Sequence, residues 1–74
     1  MHRHPVKSSM IRSIGHDAAQ KIMEVEFNDG SVHRYHGVTH DHHNDLMKAE
    51  SIGKHFHKNI RGKFDHEPPP PATA

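Results

Sequence analysis

The sequence predicts an α+β domain in which a three-stranded antiparallel meander carries two short helices on one face, ahead of a disordered proline-rich tail. Three observations carry that prediction. Lys21 to His36 alternates apolar and polar residues on both sides of Asn28-Asp29-Gly30, the grammar of an antiparallel hairpin. Beyond Gly37-Val38 the apolar spacing lengthens to the period of a helix. From Asp65 onward the composition turns to proline, with four in a row at 68–71. Such a run favours polyproline II and packs as neither helix nor sheet.

In chain order, Met1 to Lys7 is basic and polar, with Pro5 marking an extended approach. Ser8 to His16 reads as the first strand. Ile11 and Ile14 are three apart and cannot share a face of a regular strand, so a bulge or strand end is expected near Gly15. Asp17 to Gln20 forms a polar connection. In the hairpin, a two-residue turn would set Phe27 opposite Val32. A three-residue loop with Gly30 in the left-handed conformation instead pairs Met23 with Tyr35, Val25 with His33 and Glu24 with Arg34. The second register is favoured, because it sets Tyr35 beside apolar residues and gives Glu24 an opposite charge, worth about 0.2–1 kcal/mol. On that register Tyr35 is at least partly core.

Thr39 is a suitable N-cap for a helix from about His40 to Glu50, with Asp41 in its first turn and Leu46 and Ala49 facing inward. Ser51 can cap a second helix on which Ile52, Phe56 and Ile60 repeat at i, i+4 and i+8, and Gly62 stops it. Phe64 folds back onto the core. The domain organisation expected is therefore a folded unit over 1–64 and a tail over 65–74.

Seventy-four residues allow one small domain, and 31% hydrophobic content is low enough to leave part of the chain outside a core. Without cysteine there is neither a disulfide framework nor a thiolate metal site. No apolar run approaches a membrane span and the N-terminus lacks a signal-peptide core, so a cytoplasmic, monomeric protein is the default expectation. Net charge is only +1, yet eleven histidines would raise it by eleven, to +12, if all were protonated. Unperturbed imidazoles titrate near pH ~6.5, so surface potential responds to mild acid.

Lys54, Lys58 and Arg61, at i, i+4 and i+7, share the face of the second helix opposite its apolar stripe, and Lys63 extends them. Clustered lysine and arginine displace condensed counterions from nucleic acid, although a solvated amphipathic face has the same pattern. Arg34 and Tyr35 are candidate neighbours of the patch. His40, His42 and His43 are weak metal candidates, because a structural zinc site wants four ligands, usually including thiolates, and HExxH is absent. No cofactor is implied. No nucleophile motif or phosphate loop is present, so an enzyme is not expected.

With these elements placed, the chain resembles the KTSC family, a short domain named for its occurrence at the C-terminus of some lysyl-tRNA synthetases and also found free-standing in bacteria and phages. The resemblance is carried by Pro5-Val6, Ser8-Ser9, Ser13-Ile14-Gly15 with Asp17, Glu24-Val25-Glu26-Phe27 with Gly30, Leu46-Met47, Ala49, Ser51, Gly53, Phe56 and Ile60-Arg61. It runs from about Arg3 to Phe64. A central Tyr-x-Tyr of the family is His33-Arg34-Tyr35 here. Positions 16, 43 and 55, often aromatic, are histidine, as is 57, where asparagine is usual, and Thr39 replaces a helix-opening proline. The family's synthetase context suggests RNA binding. The sequence thus points to a small non-catalytic binding module, with RNA or another nucleic acid as ligand. The alternative is a protein-interaction module using the open sheet face or Pro68–Pro71, ahead of a metal- or pH-responsive protein.

Overall fold

The fold is known from a computed structural model that describes residues 2–68. Five strands and two helices follow in the order β1 (Arg3–Pro5), β2 (Ile11–Asp17), β3 (Ile22–Phe27), β4 (Val32–His36), α1 (His40–Lys48), α2 (Ile52–Asn59) and β5 (Asp65–Glu67). All neighbouring strands are antiparallel and the sheet order is the chain order, β1 to β5. The class is α+β as expected, but the sheet has five strands rather than three. No helix among the described residues is long and apolar enough to cross a membrane.

Both additional strands are three residues long, too short to show a period in sequence. β1 pairs Arg3, His4 and Pro5 with Gly15, Ile14 and Ser13. Proline is tolerated there because an edge strand does not need every N–H. Gly15 makes the approach possible: a Cβ added to it would lie 2.7 Å from the His2 carbonyl oxygen. β5 lies inside the segment expected to be a disordered tail. Its Asp65, His66 and Glu67 stand opposite His36, Tyr35 and Arg34, a charge-matched ladder that the adjoining prolines obscure in sequence. The remainder of the expected tail, 69–74, lies outside the described residues.

The hairpin adopts the three-residue loop. Met23 faces Tyr35, Glu24 faces Arg34 and Val25 faces His33, while Gly30 has φ +91°. The Phe27 N–H donates to the Ser31 carbonyl at 2.9 Å and closes the loop. The bulge lies earlier than Gly15: the register shifts between Ile11 and Ser13, leaving Arg12 as the extra residue. That insertion rotates Ile11 and Ile14 onto one face, and both are fully buried.

One face of the sheet presents Ile14, Met23, Val25 and Tyr35 to Val38, Leu46, Phe56 and Ile60, completing the core with Ile11. Thr39 caps α1 in a capping box whose third residue is His42, and its hydroxyl accepts from the His42 N–H at 3.4 Å. The helix ends two residues before Glu50, because Ala49 is already extended at the C-cap. Ser51 caps α2, accepting from the Lys54 N–H at 3.4 Å, and Phe56 and Ile60 are buried as expected. Phe64 packs against the core from outside. Phe27 is only half-buried, because it lines an open groove rather than lying beneath the helices.

Candidate nucleic-acid interface

A groove of about 420 Å³ opens between the β3–β4 hairpin, β5 and the C-terminal end of α2. Strand alternation directs Phe27, His33 and Tyr35 to its floor, and α2 contributes Phe56. The rings pack as a cluster. Phe27 and Phe56 meet edge-on at 5.7 Å, Phe27 and His33 at 5.0 Å, and Tyr35 and Phe56 at 5.4 Å. Tyr35 is 4% exposed. Burial pushes its phenol above the ordinary range, opposed by the nearby Arg61 charge.

From β5, His66 stacks on Tyr35 at 5.0 Å between ring centroids and lies edge to edge with His33, nearly coplanar at 11°. Its Nε2 lies 2.7 Å from His33 Nδ1, so one imidazole donates to the other. Burial lowers the His33 pKa, the His66 charge lowers it further, and Asp29 works the other way. Asp29 accepts from the Ser31 hydroxyl at 2.6 Å and from the Ser31 N–H at 2.9 Å, which fixes the hairpin tip at the groove's far end.

The basic residues divide among three places. Lys54 and Lys58 are exposed on α2, one turn apart, outside the groove. Arg61 lines the groove and donates to His57 Nδ1 at 3.4 Å. Lys63 lies instead at a second cavity of about 340 Å³, with His42, Asp45, His55 and Phe64. Arg34 is separated from all of them. It points to the opposite side of the sheet, where its Nε donates to Glu24 at 3.0 Å. The structure therefore brings Arg61 and Tyr35 into one groove, leaves Lys54 and Lys58 outside it, and separates Arg34.

His40, His42 and His43 do not converge. His42 is occupied with Thr39, and His43 stacks on His16 at 4.6 Å. Among the described residues no three His, Cys, Asp or Glu side chains are placed to hold a metal ion.

Residues 7–64 match the family model of the KTSC domain. The chain belongs to the KTSC family. The crystal structure of a KTSC domain protein from Yersinia pestis superposes with a TM-score of 0.87 at 37% identity, covering 90% of this chain and 94% of that one. An uncharacterised protein of Stutzerimonas stutzeri is 41% identical over 58 residues, 78% of this chain and 82% of its own length. A lysine–tRNA ligase of Nostoc punctiforme is 36% identical over 61 residues, 82% of this chain, and the KTSC chain spans 11% of that ligase. The family match stops at Phe64, so β5 and its His66 lie beyond it.

His66 and the groove floor were not legible as a site, because β5 was not. The available signal was Asp65-His66-Glu67 set against Arg34-Tyr35-His36, complementary only once the strands are known to meet.

Proposed function

We propose that this KTSC domain is a non-catalytic module that binds single-stranded RNA. Lys54, Lys58 and Arg61 on or beside α2, with Lys63 farther along, contact phosphates. The observation that carries the reading is the position of Arg61, which follows the C-cap of α2 and lines the aromatic groove. A cation beside stacking rings is the combination by which proteins hold single strands. The kinship with part of a lysine–tRNA ligase supports an RNA setting. A second reading, a protein partner added as a further strand, is supported by the exposure of β5 at the sheet edge.

Fluorescence anisotropy with a labelled single-stranded oligoribonucleotide tests the proposal. Binding is expected at low salt and should weaken steeply as salt rises, which a β-augmented protein partner would not show. Lys54→Glu combined with Lys58→Glu should weaken it by at least about tenfold while changing stability by less than ~0.5 kcal/mol, as exposed substitutions do. No binding by wild type at low salt, or undiminished binding by the double variant, would put the protein-partner reading first.

A further inference from the structure

β5 places a ring over the floor of the groove. The His66 imidazole lies on Tyr35 with 23° between planes, and it sits edge to edge with His33, nearly coplanar at 11° and hydrogen-bonded to it through a ring nitrogen. A flat heteroaromatic ring, stacked on aromatic side chains and bonded through its edge, is also how a protein holds an unpaired nucleobase. The residues flanking the ring are both carboxylates. Glu67 stands across the ladder from Arg34 and accepts from His36 at 2.8 Å, and Asp65 stands across from His36. Asp65-His66-Glu67 thus sets a heterocycle between two anions, the charge pattern of a nucleotide within a strand.

The segment is weakly held. It is three residues long, exposed throughout, and laddered to β4 alone. Pro68 follows without an N–H to extend the ladder. Strands this short with little burial belong to the low-stability end of a fold. Beside it, with His66 as one wall, a groove of about 420 Å³ suits one base rather than a duplex. Asn28, Asp29 and Ser31 bring donors and acceptors to one end and Arg61 brings a cation to the other.

We infer that His66 is an internal stand-in for an unpaired RNA base, and that β5 is a self-inhibitory strap which the incoming base displaces from Tyr35 and His33. The inference rests on the RNA reading above and names the seat of the base within it. Displacement also releases Arg34 and His36 from facing the strap's carboxylates, at the edge where a phosphate backbone would pass.

The test compares RNA affinity, by the same anisotropy measurement, for wild type, His66→Ala, His66→Trp and a chain ending at Phe64. Removing the ring or the strap should tighten binding about three- to tenfold, and His66→Trp, with a larger ring for the same seat, should weaken it. Hydrogen exchange supplies a readout independent of affinity: the amides of β5 should exchange faster when RNA saturates the wild-type protein. Wild type, His66→Ala and the shortened chain binding equally would overturn the strap while leaving the phosphate surface standing. Weaker binding by His66→Ala would make His66 a ligand contact instead of a stand-in, and slower exchange in β5 would do the same. No RNA binding by any of the four would remove both the strap and the RNA reading. His66→Ala keeps the whole chain, so the comparison survives if the shortened form fails to fold.

Discussion

The two faces of the sheet handle buried polarity in opposite ways. On the open face, Glu24 is 5% exposed, yet each carboxylate oxygen has a cation: Arg3 on one and Arg34 on the other. Burial alone would raise the Glu24 pKa, but hydrogen bonds from Arg34 and Arg3, with their charges, hold it below its ordinary 4.5. On the helix-covered face, His16 donates to the Val38 carbonyl at 2.7 Å. His43, stacked on it, keeps a buried Nε2 with no partner among the described residues. Burial lowers the His43 pKa, and the charges of His16, His40 and His4 lower it further. Glu24 is the more buried of the two residues and the better satisfied. Pairing, more than depth, decides what a buried polar group costs.

The largest effect should come from the apolar side of this contrast. Phe56→Ala removes the ring that meets Phe27 and Tyr35, and should cost about 3–5 kcal/mol in urea unfolding. Phe27→Ala should cost less, because its ring is half-buried along the open groove. Equal losses would mean that the groove is closed rather than open.

On the charged face, Glu24→Ala should cost about 1–3 kcal/mol, since it leaves Arg3 and Arg34 facing each other across a vacated site. Solvent around the two arginines, whose side chains are 32% and 51% exposed, places the expectation toward the lower end. Glu26→Ala, which loses a 4.0 Å pairing with Arg12, 57% exposed, and a hydrogen bond from the Ser13 hydroxyl, should change stability less. A reversed ranking in urea titrations would refute the pairing argument.

The smallest effect is a gain. His43→Phe replaces an unpartnered buried nitrogen with a hydrocarbon ring and should stabilise by up to about 1 kcal/mol at neutral pH. It should also flatten the response to acid. His43 and His33 both have pKa values below the ordinary 6.5 in the folded chain. The unfolded chain therefore takes up these protons first, and stability falls as pH drops below 6.5 toward the lowered folded values. Glu24 acts in a separate window. Its contribution is present above 4.5 and is lost as pH falls through its lowered folded pKa. Unfolding free energies measured from pH 7.5 to 3 should thus show two stages of loss, the upper one shallower in His43→Phe. An unchanged upper stage in the variant would mean that other histidines govern it.

Alternation within β3 and β4 and the glycine at Gly30 were enough to set the hairpin register and the Glu24–Arg34 pair, because both depend on residues close in sequence. Thr39 and Ser51 likewise marked both helix starts, since a cap acts within one turn. The bulge was required by the spacing of Ile11 and Ile14, but its position at Arg12 was settled by the partner strand. β1 and β5 were invisible for a related reason: three residues carry no period, and their pairing depends on chain ends brought back across the sheet. The same holds for the site. Lys54, Lys58 and Arg61 could be grouped from helical spacing alone. That Arg61 and Tyr35 line one groove, that Arg34 faces away from both, and that His66 covers Tyr35 are consequences of contacts between residues distant in the chain. No local propensity encodes such contacts, and they exist only once the sheet has formed and α2 has packed across it.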